Sequence, residues 1–438
     1  MKKLFIKNYL ILLIISIPVF AYYFIYEIQY PNYYICNELI DYTVNVLSTN
    51  FEFSYPKSCD QELYQRGFMN LQEIFAEDFN YQDRPLYILL IAFVNSGVNF
   101  FTGFSSLESV NTTFLSAFLV QIGIAAISLV LIQKIYFKDD ELSFVNSLLL
   151  PLILLISPLF KWGIFDPSHQ LLTFLAILVS IYFVQSNKTV NLNYSFLFGL
   201  LFLLHRSFLV TFAWILLFEI YSNRNHLIKD FKYKCCLFFL VPTAVYQIYI
   251  KLILGNNTYD ANAEYWGQFI WIFDFLRGKI NYQSEWHCVT IPGNFLCYIQ
   301  DNFQLLMYMS VLIFFVLYFY ISQFRINKNF EESIKLTLSI CLFLYIFWSF
   351  IGWYPPIRFS YYSLGHLIVL LFINFIIMHK NNFGKLLITT SYIFYTLNLN
   401  HWNSPQIVEM NLFIYFSIVL FFIYVLYDRV FFTGIKPK

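Results

Sequence analysis

About thirteen stretches of nearly unbroken apolar sequence run along the chain, separated by short polar connections or by one of two longer loops. One helical crossing of a bilayer needs about 20 such residues, because lipid offers no partner to backbone N–H and C=O groups and a helix satisfies its own. The segments fall near 8–27, 85–103, 112–136, 143–160, 168–186, 193–205, 207–221, 235–254, 304–323, 334–352, 360–379, 384–399 and 411–428. Of the 438 residues, 59% are hydrophobic and 12% charged, which leaves too few polar side chains to cover a water-facing surface. The expected fold is all-α, a polytopic integral membrane helical bundle of about 12 crossings in which 1–438 is a single transmembrane domain.

The charges constrain how the segments are threaded. Basic residues gather at Lys2, Lys3 and Lys7, at Lys134 and Lys138, at Arg224, Lys229, Lys232 and Lys234, in FRINK, in HKNNFGK, and at Arg429, Lys436 and Lys438. All can face the cytoplasm only if one apolar segment fails to cross. The segment 85–103 starts with Pro85 and is interrupted by Asn95, Ser96, Gly97 and Asn99, so it is expected to be a juxtamembrane or re-entrant helix. Polar groups at membrane depth persist only against protein or a wet cavity, so this segment should border the working site.

Both termini then lie inside, with the first segment an uncleaved crossing. The outer loop 28–84 carries about nine carboxylates against about three bases, and a second outer loop spans 255–303. Neither is long enough to build a core of its own. Within the first loop, Tyr64, Phe68, Leu71 and Phe75 fall at i, i+4, i+7 and i+11, the stripe of an amphipathic helix lying on the membrane surface. In the second, Trp266, Trp271 and Trp286 fit an interfacial aromatic belt.

The formal net charge of +1 gives no case for a nucleic-acid partner. Cys36 and Cys59 in the first loop, and Cys288 and Cys297 in the second, suggest disulfides in an oxidising compartment, although spacing alone equally allows free thiols. Cys235, Cys236 and Cys341 fall at or within helices.

Ionisable groups near crossing ends supply the candidate chemistry. Asp60 and Glu62 suit an acid/base or metal-holding pair at a cavity mouth; equally, Asp60 suits an N-cap with Glu62 in the first helical turn. Asp83 and Arg84 stand directly before Pro85, and a guanidinium held there suits bidentate contact with phosphate oxygens. Three short outer connections add Lys161, Asp166 and His169, then His205 and Arg206, then Arg358. Gathered on one outer cavity, the cations among them would hold a lipid-linked phosphate or pyrophosphate. Phosphate-binding loops, dinucleotide fingerprints and nucleophile elbows are absent from the sequence.

This order of features resembles the GT-C superfamily of membrane glycosyltransferases, which includes protein O-mannosyltransferases and the lipid A aminoarabinose transferase. The resemblance lies in one crossing followed by an acidic outer loop with a D-x-D-like element (Asp60 and Glu62) and an R-P-L-Y helix (Arg84 to Tyr87). A polar-Arg junction between short helices (His205, Arg206) and a late outer arginine (Arg358) complete it. It implies inverting transfer of a sugar from a polyprenyl-phosphate donor on the non-cytoplasmic side, in the service of cell-envelope polysaccharide biosynthesis. The carboxylate of the first loop would act as base or acceptor-positioning group, with Glu38 and Asp41 as rivals for that role. Arg84, Arg206 and Arg358 would stabilise the departing lipid phosphate. A divalent metal is compatible with such a carboxylate pair, and no other cofactor is implied.

The expected partners are the lipid-linked sugar and membrane lipid, and the expected location is the inner (plasma) membrane of a bacterium. A repeat-unit polymerase of O-antigen or capsule is a second reading, but the longest acidic loop here follows the first crossing rather than coming late. A lipid-linked sugar flippase or transporter is a third, and the two-fold internal symmetry usual in transporters is not evident.

Overall fold

The computed structural model describes residues 2–29, 42–45, 54–57, 64, 67–75, 84–102, 109–137, 144–157, 160, 163–164, 169, 171–186, 188–222, 233–254, 328–350, 363, 365–378, 381–397 and 412–431. Twelve α-helices are present among them: α1 (Lys2–Gln29), α2 (Pro85–Thr102), α3 (Ser109–Phe137), α4 (Phe144–Ile156), α5 (Leu171–Gln185), α6 (Leu192–Phe202), α7 (Ser207–Ser222), α8 (Tyr233–Leu254), α9 (Lys328–Phe350), α10 (His366–Met378), α11 (Asn382–Leu397) and α12 (Leu412–Phe431). Each coincides with one of the apolar segments, with ends shifted by a few residues. The remaining segment, 304–323, and the loop 255–303 lie outside the described residues.

The core is built around α3 and α5. Helix α3 packs against α1, α2 and α5, and α5 packs in turn against α7 and α9. Eleven of the 15 residues of α5 are buried, as befits a helix apolar on every side. Spans within α1, α3 and α8 are long and apolar enough to cross a membrane. The span in α3 is 78% buried, whereas those in α1 and α8 are only 22% buried. On α8, Leu237, Leu240, Val245, Ile248 and Leu252 lie exposed in a row that water would not tolerate and lipid would.

Polar contacts tie one end of the bundle together. Gln185 Nε2 donates to Ser333 Oγ at 2.7 Å, and Ser333 Oγ donates to the Ile135 carbonyl at 3.2 Å, so α5, α9 and α3 are level there. Tyr136 and Thr337 share a 2.6 Å hydrogen bond beside them, and Trp214 Nε1 donates to Ser339 Oγ at 3.1 Å. Lys385 Nζ donates to Asn146 Oδ1 at 2.7 Å, and Lys7 Nζ to Ser147 Oγ at 3.1 Å, joining α11 and α1 to the start of α4.

Helix α2 runs unbroken through Asn95, Ser96 and Gly97 and lies antiparallel to α3. Gln121 Nε2 donates to the Tyr87 hydroxyl at 2.6 Å, and Ser116 Oγ donates to Asn95 Oδ1 at 3.3 Å, so the register descends along one helix as it climbs the other. Helix α2 therefore starts beside the middle of α3 and ends towards its first residue, Ser109.

The first loop departs from the sequence reading in two ways. A short antiparallel ladder pairs β1 (Tyr42–Asn45) with β2 (Ser54–Lys57), Tyr42 opposite Lys57, in a stretch of the loop to which the sequence reading gave no element. Tyr42, Thr43, Val44 and Tyr55 are strand-favouring side chains. The proposed surface stripe is also corrected. Tyr64 and Phe68 are buried in the protein core, and a 3-10 helix over Leu71–Phe75 follows. Asn70 Oδ1 accepts from Gln72 N at 3.1 Å at the start of that helix. Leu71 is exposed and Phe75 half-buried while Tyr64 and Phe68 are buried, so the four stripe residues do not share one face.

Candidate functional site

Arg84 stands at the entrance to α2. Its carbonyl accepts from Tyr87 N and Ile88 N, and Pro85 occupies the first helical position, where a missing N–H costs nothing. A 3.3 Å bond from Leu86 N to the Leu203 carbonyl fastens this entrance to the connection between α6 and α7. That connection is a tight turn: His205 N donates to the Leu201 carbonyl at 3.0 Å, and the His205 carbonyl accepts from Phe208 N as α7 begins. His205 Nδ1 accepts from Ser207 N at 3.2 Å, doing for α7 what an Asn or Asp cap does elsewhere. His169 occupies the same place before α5, where its carbonyl accepts from Leu172 N at 3.0 Å.

The starts of α2, α5 and α7 thus meet, and their side chains touch. Arg84 is 1% exposed. Its Nη1 donates to the Tyr64 hydroxyl at 2.6 Å and lies 3.0 Å from His169 Nδ1. The Tyr64 hydroxyl lies 2.5 Å from the same Nδ1. The His169 and His205 rings stack with centroids 4.8 Å apart. Tyr64 is pinned edge-on by Tyr87, 5.6 Å between centroids, and stacks on Phe68. Arg206 sits half-buried beside the cluster. In the turn outside both helices, burial first and then the charges of Arg84 and Arg206 hold the His205 imidazole well below its ordinary range, in its neutral form.

Protonation states follow from donor counting. An arginine can only donate, so the Arg84 contact requires a lone pair on His169 Nδ1. With Nδ1 unprotonated, the Tyr64 O–H donates to it and accepts from Arg84. Burying a guanidinium costs several kcal/mol unless polar groups or an anion meet it, at roughly the scale set by charged-group desolvation. Three helix starts add partial positive charge at the same point, since each carries about half an elementary charge. The point where they meet is therefore electropositive.

Of the residues proposed from sequence, the structure brings together Arg84, Tyr87, His169, His205 and Arg206. Asp60, Glu62, Asp83, Lys161, Asp166 and Arg358 lie outside the described residues, as do Glu38, Asp41, Cys36, Cys59, Cys288 and Cys297. Cys235, Cys236 and Cys341 are free and helical. Among the described residues, no three His, Cys, Asp or Glu side chains converge as metal ligands.

Two participants escaped the sequence reading. The helical spacing places Tyr64 on a surface stripe rather than in a site, and Gln121 carries the one legible signal, a glutamine inside an apolar helix that needs a buried polar contact. Comparison of the chain with protein-family models, curated proteins and solved structures found no match.

Proposed function

We propose that this chain is a membrane glycosyltransferase that moves a sugar from a polyprenyl-phosphate donor to a glycan, lipid or protein acceptor on the non-cytoplasmic side. The observation that carries the reading is Arg84, buried where the starts of α2, α5 and α7 meet and with Arg206 nearby. When a glycosyl–phosphate bond breaks, the departing phosphate gains negative charge, and fixed cations in a dry site stabilise that change most. The same three elements that the GT-C resemblance singles out, the first outer loop, the R-P-L-Y helix and the His-Arg junction, supply Tyr64, Arg84 and His205 to this cluster.

In this mechanism Arg84 and Arg206 face the leaving phosphate, with Arg358 as a third cation. A carboxylate of the first loop, Asp60 or Glu62, takes the proton of the acceptor hydroxyl. The bundle crosses the membrane about a dozen times with both termini cytoplasmic, and α2 is the apolar helix that does not cross.

The test is replacement of Arg84 by Ala and by Lys, with sugar transfer from a polyprenyl-phosphate donor measured in proteoliposomes at equal protein abundance. Arg84→Ala is expected to lower turnover by about 10²–10³, the scale for losing one preorganised stabilising group. Arg84→Lys should recover only part, because an ammonium lacks the planar fork. Full turnover in Arg84→Ala would remove the basis of the reading.

A further inference from the structure

His169 was considered among the groups that would face a phosphate, yet its geometry gives it a different task. Its Nδ1 is the common acceptor for the Tyr64 hydroxyl at 2.5 Å and for Arg84 Nη1 at 3.0 Å. Its ring is stacked on His205, and its backbone is tied to the start of α5. A proton on Nδ1 would remove the lone pair that both contacts need and would set a second positive charge against the guanidinium.

We infer that His169 is a positioning residue: as a neutral imidazole it holds Tyr64 and, through direct contact and through Tyr64, aims the Arg84 guanidinium, and protonation at Nδ1 releases both. The inference rests on the reading of Arg84 as the phosphate-binding residue. The described titratable and charged groups around His169 are Tyr64 from the first loop, Arg84 and Tyr87 at the start of α2, and His205 and Arg206 from the turn before α7. His366 heads α10 and packs on Phe174, one turn into α5.

The pH sense follows directly. The folded state uses the neutral imidazole, so acid weakens the contribution of His169 and higher pH preserves it. His169→Asn keeps an acceptor near the Nδ1 position and cannot titrate. His169→Leu removes the acceptor at every pH.

The experiment uses the full chain in lipid nanodiscs, with two readouts taken between about pH 8 and about pH 5.5, a range chosen to span the histidine titration. The first is the thermal unfolding midpoint and the second is binding of farnesyl phosphate as a probe. Wild type and His169→Asn should unfold and bind alike at the upper pH. At the lower pH, wild type should lose stability and bind the probe more weakly than at the upper pH, while His169→Asn keeps both. His169→Leu should be impaired throughout. His205, held neutral by burial and the neighbouring arginines, is the same in both proteins and cancels from the comparison.

If His169→Asn follows the same acid course as wild type in unfolding, the positioning role is wrong, whatever the probe does. If that course differs as expected but farnesyl phosphate binding is absent or indifferent to Arg84→Ala, the positioning of Arg84 stands and the phosphate reading falls. Should His169→Asn fail to accumulate, Tyr64→Phe tests the same point. Without the hydroxyl that needs the Nδ1 lone pair, the acid-induced loss of stability should shrink, and an unchanged loss would overturn the inference.

Discussion

A single hydroxyl, that of Tyr64, joins the buried guanidinium of Arg84 to a ring nitrogen that must accept, His169 Nδ1. Behind it, Tyr87 presses edge-on against the Tyr64 ring and accepts at its own hydroxyl from Gln121 Nε2 at 2.6 Å. Tyr87→Phe deletes that acceptor while keeping the ring. It should cost about 1–3 kcal/mol, because a buried donor loses the hydrogen bond to this hydroxyl. Adding Gln121→Leu should return part of the loss, since removing both halves of a buried polar pair costs less than removing one. Thermal unfolding of the two variants in nanodiscs checks the pair, and a double variant less stable than the single would contradict it. Gln121 was legible as an oddity in an apolar helix. Tyr64 was not, because its place depends on where the helix through Phe68 stops, and sequence spacing assumed that it continued.

At the scale of elements, helix–helix contacts decide which glycines matter. Gly199 of α6 lies so close to α8 that an added Cβ would overlap the Phe239 carbonyl oxygen and come within 3.1 Å of Pro242 Cδ. Both obstacles belong to backbone or a rigid ring, so the helices would have to part. Gly199→Ala is expected to destabilise by about 1–3 kcal/mol, the usual cost of overpacking. Gly97, in the middle of α2, has nothing within 4 Å of the same added atom. Gly97→Ala should therefore stabilise by roughly 0.5–1 kcal/mol through helix propensity alone. Unfolding midpoints measured side by side should move in opposite directions, and a shared direction would mean that the α6–α8 contact is not the constraint described. Helix positions were largely legible, because backbone satisfaction in lipid leaves long apolar runs few alternatives. The β1–β2 ladder was not, since two four-residue strands inside an acidic loop present too short a pattern to separate from coil.

Across the whole molecule, the two ends of the bundle differ in chemistry. One end carries the contacts of Lys7 and Lys385 with Ser147 and Asn146, together with the polar lock formed by Gln185, Ser333 and Tyr136. The Arg84 cluster lies at the other end of α5, which is 15 residues and so roughly 22 Å long. Lysine-rich ends face the cytoplasm in the usual membrane arrangement. In the proposed orientation the cluster therefore lies towards the opposite side. Because α2 starts at the cluster and runs antiparallel to α3, its last residue, Thr102, and the first residue of α3, Ser109, lie at the same end as each other, which the proposed orientation makes non-cytoplasmic. Single cysteines placed at Thr102 and Ser109 in a chain otherwise free of cysteine should react with a membrane-impermeant maleimide added to intact cells. A cysteine at Lys188, between α5 and α6, should react only after the cells are opened. The opposite pattern at Thr102 would make α2 a full crossing, restore thirteen spans, and force either the lysine end or the Arg84 cluster onto a side where the proposed chemistry has no place.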